Sequence, residues 1–391
     1  MSYRYDTRFM ADNLMTGIAV DPLLGFGVSL QANLSDAFEN QRIQANVFGL
    51  LDLRTSNISL SYTNLTRRFD WSITYRKQAY FLDAQTAIPA QTRYGHHQLA
   101  PTIAYPLTHN LSLRGGPLFD NISRTQTADP NTSNDISVNY LGYNAELVFD
   151  NSRSTGVNML LGTRLKVGVL QQYRLNDASG NFGKLYIDLR HYQKLHRQLV
   201  WANRASFGSF FGPNPQVFRI GGMDNWIGQK YTDQQLLPGP ASPAYTADPT
   251  TVFYQQFVTN LRGFDLSKRT GRSYVLFNSE LRFPIVQYFS NRPIYSGFFR
   301  NLEFVGFVDA GTAYSGGNPF SESNSNNTVP FKNNTFFSGT VINFRNPLLV
   351  GYGVGVRTTM LGFYTKFDLA WGEENYVRTG PKPYLTLGHD F

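Results

Sequence analysis

Near its end the chain alternates strictly. Phe363, Thr365, Phe367, Leu369 and Trp371 fall on one parity, and Tyr364, Lys366, Asp368 and Ala370 on the other. Successive side chains of a strand point to opposite faces, so a period of two marks a strand with one apolar and one wet face. The pattern recurs where Leu185, Ile187 and Leu189 alternate with Lys184, Tyr186, Asp188 and Arg190. It recurs again where Val275, Phe277, Leu281, Phe283 and Ile285 alternate with Asn278, Glu280 and Arg282. A soluble sandwich also alternates, but its polar face is richer in Lys and Glu. Here charged residues make up only 16% of the chain, against about 25% in soluble domains. Aromatics reach 15%, with 23 Tyr and 31 Phe. No apolar run approaches the about 18 residues of a transmembrane helix, which excludes one. Low charge, many aromatics and a mean hydropathy of −0.30 fit an all-β membrane barrel, in which lipid-facing and lumen-facing residues take turns.

Alternation and turn signals place sixteen strands along the 391 residues. The first are at 16–21 and 25–34, the last at 347–359, 363–372 and 383–391. An even count closes an antiparallel barrel with both chain ends on one side. Connections are tight at 107–109 and 360–362 and long at 124–136, at 314–346 and above all at 211–271. The last far exceeds the usual connection of about 2–6 residues, and loops of such length are normally functional or disordered. Short turns on one side and long loops on the other suit an outer-membrane barrel. The organisation read from the sequence is a short periplasmic segment, 1–15, followed by one outer-membrane barrel, 16–391. The N-terminus carries no apolar signal segment, so the sequence reads as a form whose export signal has been removed.

The net charge of +8 is spread thinly, the longest basic runs being pairs such as Arg67-Arg68. Nucleic-acid proteins concentrate such charge in clusters, so the diffuse excess points to an anionic membrane surface or an acidic ligand in the lumen. The absence of cysteine excludes disulfides, thiolate metal sites and cysteine nucleophiles. None of the six histidines sits near a Gly-x-Ser-x-Gly context. His96 and His97 are adjacent on a strand and face opposite sides, so they cannot grip one ion. Glu280 and Asp309 would make an acid/base pair on their own, but with Arg262 and Arg282 at hand a structural latch is the stronger reading. No enzyme, cofactor or metal is expected.

Several motifs follow one another in the second half of the chain. Gly221-Gly222 stands within Val217–Trp226, followed by Leu261-Arg262-Gly263-Phe264. Then come Glu280-Leu281-Arg282-Phe283-Pro284, Phe307-Val308-Asp309-Ala310-Gly311 and Gly353–Arg357, and a final strand with Leu385, Leu387 and a terminal Phe391. This ordered set resembles the BamA/TamA/two-partner-secretion superfamily of outer-membrane barrels, the bacterial surface antigen type. The resemblance implies a sixteen-stranded antiparallel barrel whose sixth extracellular loop, 211–271, folds into the lumen. It also implies that Arg262 pairs there with Glu280 and Asp309, and that Leu385, Leu387 and Phe391 form the strand signal read by barrel-assembly machinery. A guanidinium offers a fork for carboxylates, and Gly263 lets the backbone turn tightly beside it. The chain departs from the family pattern twice. Residues 223–261 intervene between the Gly-Gly and Arg-Gly-Phe elements, which usually lie close together. Only residues 1–15 precede the first strand where members carry POTRA domains, so the expectation is either a chain from which a soluble N-terminal domain has been removed or a barrel-only member of the family in a Gram-negative outer membrane.

The function so implied is insertion, assembly or translocation of protein or lipid at the outer membrane, through a lateral seam between the first and last strands. Its partners would be outer-membrane lipid, lipopolysaccharide, and unfolded barrel or secreted polypeptide clients. The alternative is a passive pore or a structural barrel, including a homodimer formed through exposed strands. No nucleic acid is expected.

Overall fold

The computed structural model describes residues 8–391 apart from 23–24, 51–54, 84–90, 127–134, 231–247, 291, 322–323, 325–327, 334–336, 343–344 and 389. The main sheet has eighteen strands, two of them short: Arg153–Gly156 and Trp226–Ile227. The long ones run in chain order as β1 (Phe9–Asp21), β2 (Gly25–Asp36), β3 (Gln41–Gly49), β4 (Ser56–Asn64), β5 (Asp70–Asp83), β6 (Gln91–Pro106), β7 (Leu111–Gln126) and β8 (Ile136–Asp150). They continue as β9 (Met159–Arg174), β10 (Phe182–His196), β11 (Leu199–Phe211), β12 (Ser273–Phe283), β13 (Glu303–Tyr314), β14 (Leu349–Met360), β15 (Phe363–Glu374) and β16 (Val377–Leu387). Each pairs antiparallel with the next, from β1–β2 to β15–β16. The result is a nearly closed antiparallel barrel with one unsealed seam. Among the described residues no ladder joins β1 to β16.

The alternation seen in the sequence becomes an inverted polarity. On β12, Val275, Phe277 and Leu281 are exposed, while Asn278, Glu280 and Arg282 are at most 1% exposed. On β15, Phe367 is exposed while Lys366 and Asp368 are buried. On these strands apolar residues cover the outside and charged ones point inside, the reverse of a soluble domain and the arrangement of a barrel in lipid.

Two boundaries differ from the sequence reading. The first strand begins at Phe9 rather than at 16, so residues 9–15 of the segment assigned to 1–15 belong to the sheet. A bulge between Ala11 and Asn13 shifts the β1–β2 register, and a bulge interrupts the alternation from which strands are read. The last strand runs over Val377–Leu387 rather than 383–391. Pro381 and Pro383 discourage a strand assignment, but an edge strand tolerates residues without an N–H, and β16 borders the seam. At its other end Gly388, with φ +108°, takes the chain out of the sheet.

The connection between β11 and β12 supplies internal structure. Phe218–Ile220, Gln256–Val258 and Arg269–Gly271 form a three-stranded sheet, preceded at its second strand by a short helix, α1 (Thr250–Tyr254). Phe218, Ile220, Val258, Leu261 and Phe264 from this connection cluster with Phe182, Phe210, Leu276 and Leu349 from the barrel wall. The apolar core therefore lies between the connection and the inner faces of β10–β14. The stretch Pro238–Pro243 lies outside the described residues.

Candidate functional site

The site is built on the register of β12 against β13, which sets Asn278 opposite Asp309 and Glu280 opposite Phe307. Asn278, Glu280 and Asp309 all point inward, and all are at most 1% exposed. Two buried carboxylates on neighbouring strands repel unless a cation sits between them. Arg262 supplies it. Its Nε and one terminal nitrogen donate to the two oxygens of Asp309 at 2.7 and 2.8 Å, and its backbone N–H donates to the same carboxylate at 3.1 Å. Its other terminal nitrogen lies 2.8 Å from Glu280, an ion-pair contact rather than an aligned hydrogen bond, and 3.8 Å from Asp368. The guanidinium rests on the Phe307 ring, 3.5 Å from its centroid, a cation–π contact. Burial opposes the charge on Arg262, but Asp309 and Glu280 outweigh it and hold the group above its ordinary range.

The backbone permits this approach because glycine lines both sides. Gly263 has φ +92°, and a Cβ there would meet the Gly372 nitrogen at 2.6 Å. A Cβ on Gly351 would lie 1.8 Å from the Arg262 carbonyl oxygen. Leu261 is fully buried and bridged to Gly222, whose φ is +76°. Phe264 is buried, and its carbonyl accepts from the Tyr384 hydroxyl of β16 at 2.6 Å. The Gly-Gly element and the Arg-Gly-Phe motif are thus brought together in space despite the residues between them.

The chain is related in shape to solved proteins. No protein-family model matches it, and no curated protein matches it in sequence. Among solved structures it is similar to the crystal structure of BamA from Haemophilus ducreyi lacking POTRA domains 1–3, with TM-score 0.56, 13% identity, and coverage of 96% of this chain and 75% of that one. It is also similar to CdiB from Escherichia coli, with TM-score 0.54 and 10% identity, over 95% of this chain and 61% of that one. The fold is that of the BamA and CdiB barrels. At these identities the likeness is one of fold, and the chain spans well under the whole of either protein.

Around Arg262 the ionic set extends further than the sequence motifs indicated. Arg282 donates to Glu280 at 3.0 and 2.9 Å. Arg357 donates to Asp368 at 2.6 Å and to Asp390 at 2.9 Å, and Lys366 lies 3.1 Å from Asp390. All of these side chains are at most 3% exposed. Four cations thereby alternate with four acids, satisfying the rule that buried charges are paired. Asn278 donates to Asp309 at 2.7 Å and to the Asn260 carbonyl. Asp368 and Lys366 were visible only as the inward parity of the 363–371 stretch.

The expected C-terminal signal residues part company. Leu385 is exposed on the outer face beside the seam, and Leu387 closes β16. Phe391 instead lies inside, packed with Tyr192, Val200 and Ala202. The Arg282 guanidinium lies 5.3 Å from its ring centroid and donates to its carbonyl oxygen at 3.2 Å. The turn at Gly388 is what carries it there. His389 lies outside the described residues. His96 and His97 do face opposite ways: His96 is buried 2.7 Å from Asp120, and His97 contacts Tyr75 at 2.8 Å.

Proposed function

We propose that this chain acts in the outer membrane as a barrel that inserts, assembles or translocates polypeptide through the seam between β1 and β16. The observation that carries this reading is the unsealed seam itself. Among the described residues each other pair of neighbouring long strands is joined by a ladder, whereas β1 and β16 share none, and the parts of their edges not met by the β11–β12 connection are open to an extended client strand. The apolar outer face supports a membrane setting, and the fold shared with BamA and CdiB supports polypeptide handling. Here the connection between β11 and β12 acts as the sixth extracellular loop, and Arg262, Glu280 and Asp309 lock it in the lumen so that the barrel keeps its shape while the seam opens. Clients are unfolded barrels or secreted polypeptides, and the surrounding partners are outer-membrane lipid and lipopolysaccharide. No catalytic residue is assigned and no cofactor is required.

The test is reconstitution of the purified chain in lipid vesicles with an unfolded outer-membrane barrel as client. Protease-resistant client should form faster than in empty vesicles; equal rates would sink the assembly reading. One observation favours a second reading, a passive pore. A cavity of about 500 Å³, bordered by Asp21, Ser29, Asn57, Asp224, Asn225 and Lys366, lies alongside the seam. Steady single-channel conductance without client folding would select that reading.

A further inference from the structure

The seam is not empty. Trp226–Ile227, from the connection between β11 and β12, pairs antiparallel with the outer edge of β16, Trp226 opposite Thr386 and Ile227 opposite Leu385. These two residues obey the parity of a barrel strand. Trp226 is 5% exposed and its ring lies 4.6 Å from that of Tyr384, while Ile227 is exposed beside the exposed Leu385. The same stretch also reaches the end of β1. The Asn225 carboxamide oxygen accepts from the Val20 N–H at 3.3 Å, and the Gln229 side chain donates to the Asp21 carbonyl at 3.1 Å. Asn225 (φ +50°) and Gly228 (φ +82°) turn the chain into and out of this position. The segment therefore fills, with two residues, a place where a ladder between β1 and β16 would otherwise run. Its anchor is close by: Thr259 donates to Asp224, and the Gly222–Leu261 bridge sits next to Arg262.

We infer that the edge of β16 at Tyr384–Thr386 is a docking site for an extended polypeptide segment with an inward aromatic residue followed by an outward aliphatic one, and that Trp226–Ile227 is its resident occupant. Backbone pairing gives such a site its affinity, and the pockets for alternating side chains give it selectivity. An aromatic packed against Tyr384, as the Trp226 ring is at an interplanar angle of 52°, adds to both. The inference rests on the seam being the client site, as proposed above.

The absence of cysteine makes the test clean. In the vesicle-reconstituted Ile227→Cys/Leu385→Cys chain, a disulfide should form under mild oxidation, because directly opposed residues of an antiparallel pair lie within bonding reach. The probe is a synthetic strand of about ten alternating residues centred on Trp-Ile; its control carries Ile-Trp, which reverses the faces. The first should lower the disulfide yield at least about fivefold, equivalent to a shift of about 1 kcal/mol, and the control should not. A pair that fails to cross-link, or equal effects of the two peptides, overturns the inference. Asn225→Gly keeps the turn but removes the bond to Val20, and should ease displacement by the first peptide; unchanged competition counts against the anchoring described. Client folding is read separately. If no form of the chain speeds it, the assembly reading falls while the disulfide still decides the docking site. If the chain does speed it, the oxidised pair should be inactive until reduced, and an active oxidised pair overturns the site.

Discussion

Arg262 holds its position by satisfying acids that have no access to water, so its removal costs more than its own contacts. Arg262→Ala leaves Asp309 without its cation and Glu280 with Arg282 alone, and truncating one partner of a buried ionic set costs about 3–5 kcal/mol. The expected result is a folded band on an unheated gel that is lost at markedly lower temperature; unchanged heat mobility would refute the latch. Asn278→Ala deprives Asp309 and the Asn260 carbonyl of one donor, at about 1–3 kcal/mol, read in the same way. Gly263→Ala should also destabilise, since its Cβ would collide with the β15 backbone and overpacking costs about 1–3 kcal/mol. At this scale much of the site was legible in the sequence. Arg262, Glu280 and Asp309 followed from motif order together with parity. Asp368 and Asp390 did not, because parity says which face a side chain occupies and nothing about which residues meet across the interior. That meeting depends on the β13–β14–β15 registers and on the turn at Gly388, both tertiary facts.

Among the elements, β16 is irregular, with a register shift against β15. It borders the seam, carries two prolines, and gives way at Gly388 to a tail whose Asp390 pairs with Arg357 and Lys366. Gly388→Val places a β-branched side chain at φ +108°, a strain of about 1–3 kcal/mol, and pulls the tail from its partners. A lower unfolding midpoint in urea should follow, and an unchanged midpoint would show that the tail contributes nothing to stability. The sequence placed β12 and β15 well because their alternation is uninterrupted. It placed the start of β1 and both ends of β16 badly, because a bulge, two prolines and a glycine interrupt the signal there. The two-residue strand at the seam was beyond reach, since no periodicity exists over so short a stretch.

For the molecule as a whole, the inverted polarity predicts where charge is tolerated. Phe277→Arg, near the middle of the outer face of β12, should cost about 2–4 kcal/mol in vesicles. Tyr376→Arg, in the exposed turn between β15 and β16, should shift stability by no more than about 0.5 kcal/mol. Equal effects at the two positions would remove the case for a lipid-facing belt.

Spacing apolar residues one in two along each strand also governs the journey before insertion. A helical membrane protein carries its greasiness in continuous blocks, which are arrested by the first bilayer they meet. This chain dilutes its own, so that the mean hydropathy stays at −0.30 although it ends with an apolar exterior. Unfolded, it is compatible with passage through an aqueous compartment, and its affinity for lipid emerges only when the strands pair and sort their two faces. Destination is thereby encoded in the folded state, not in the extended polymer.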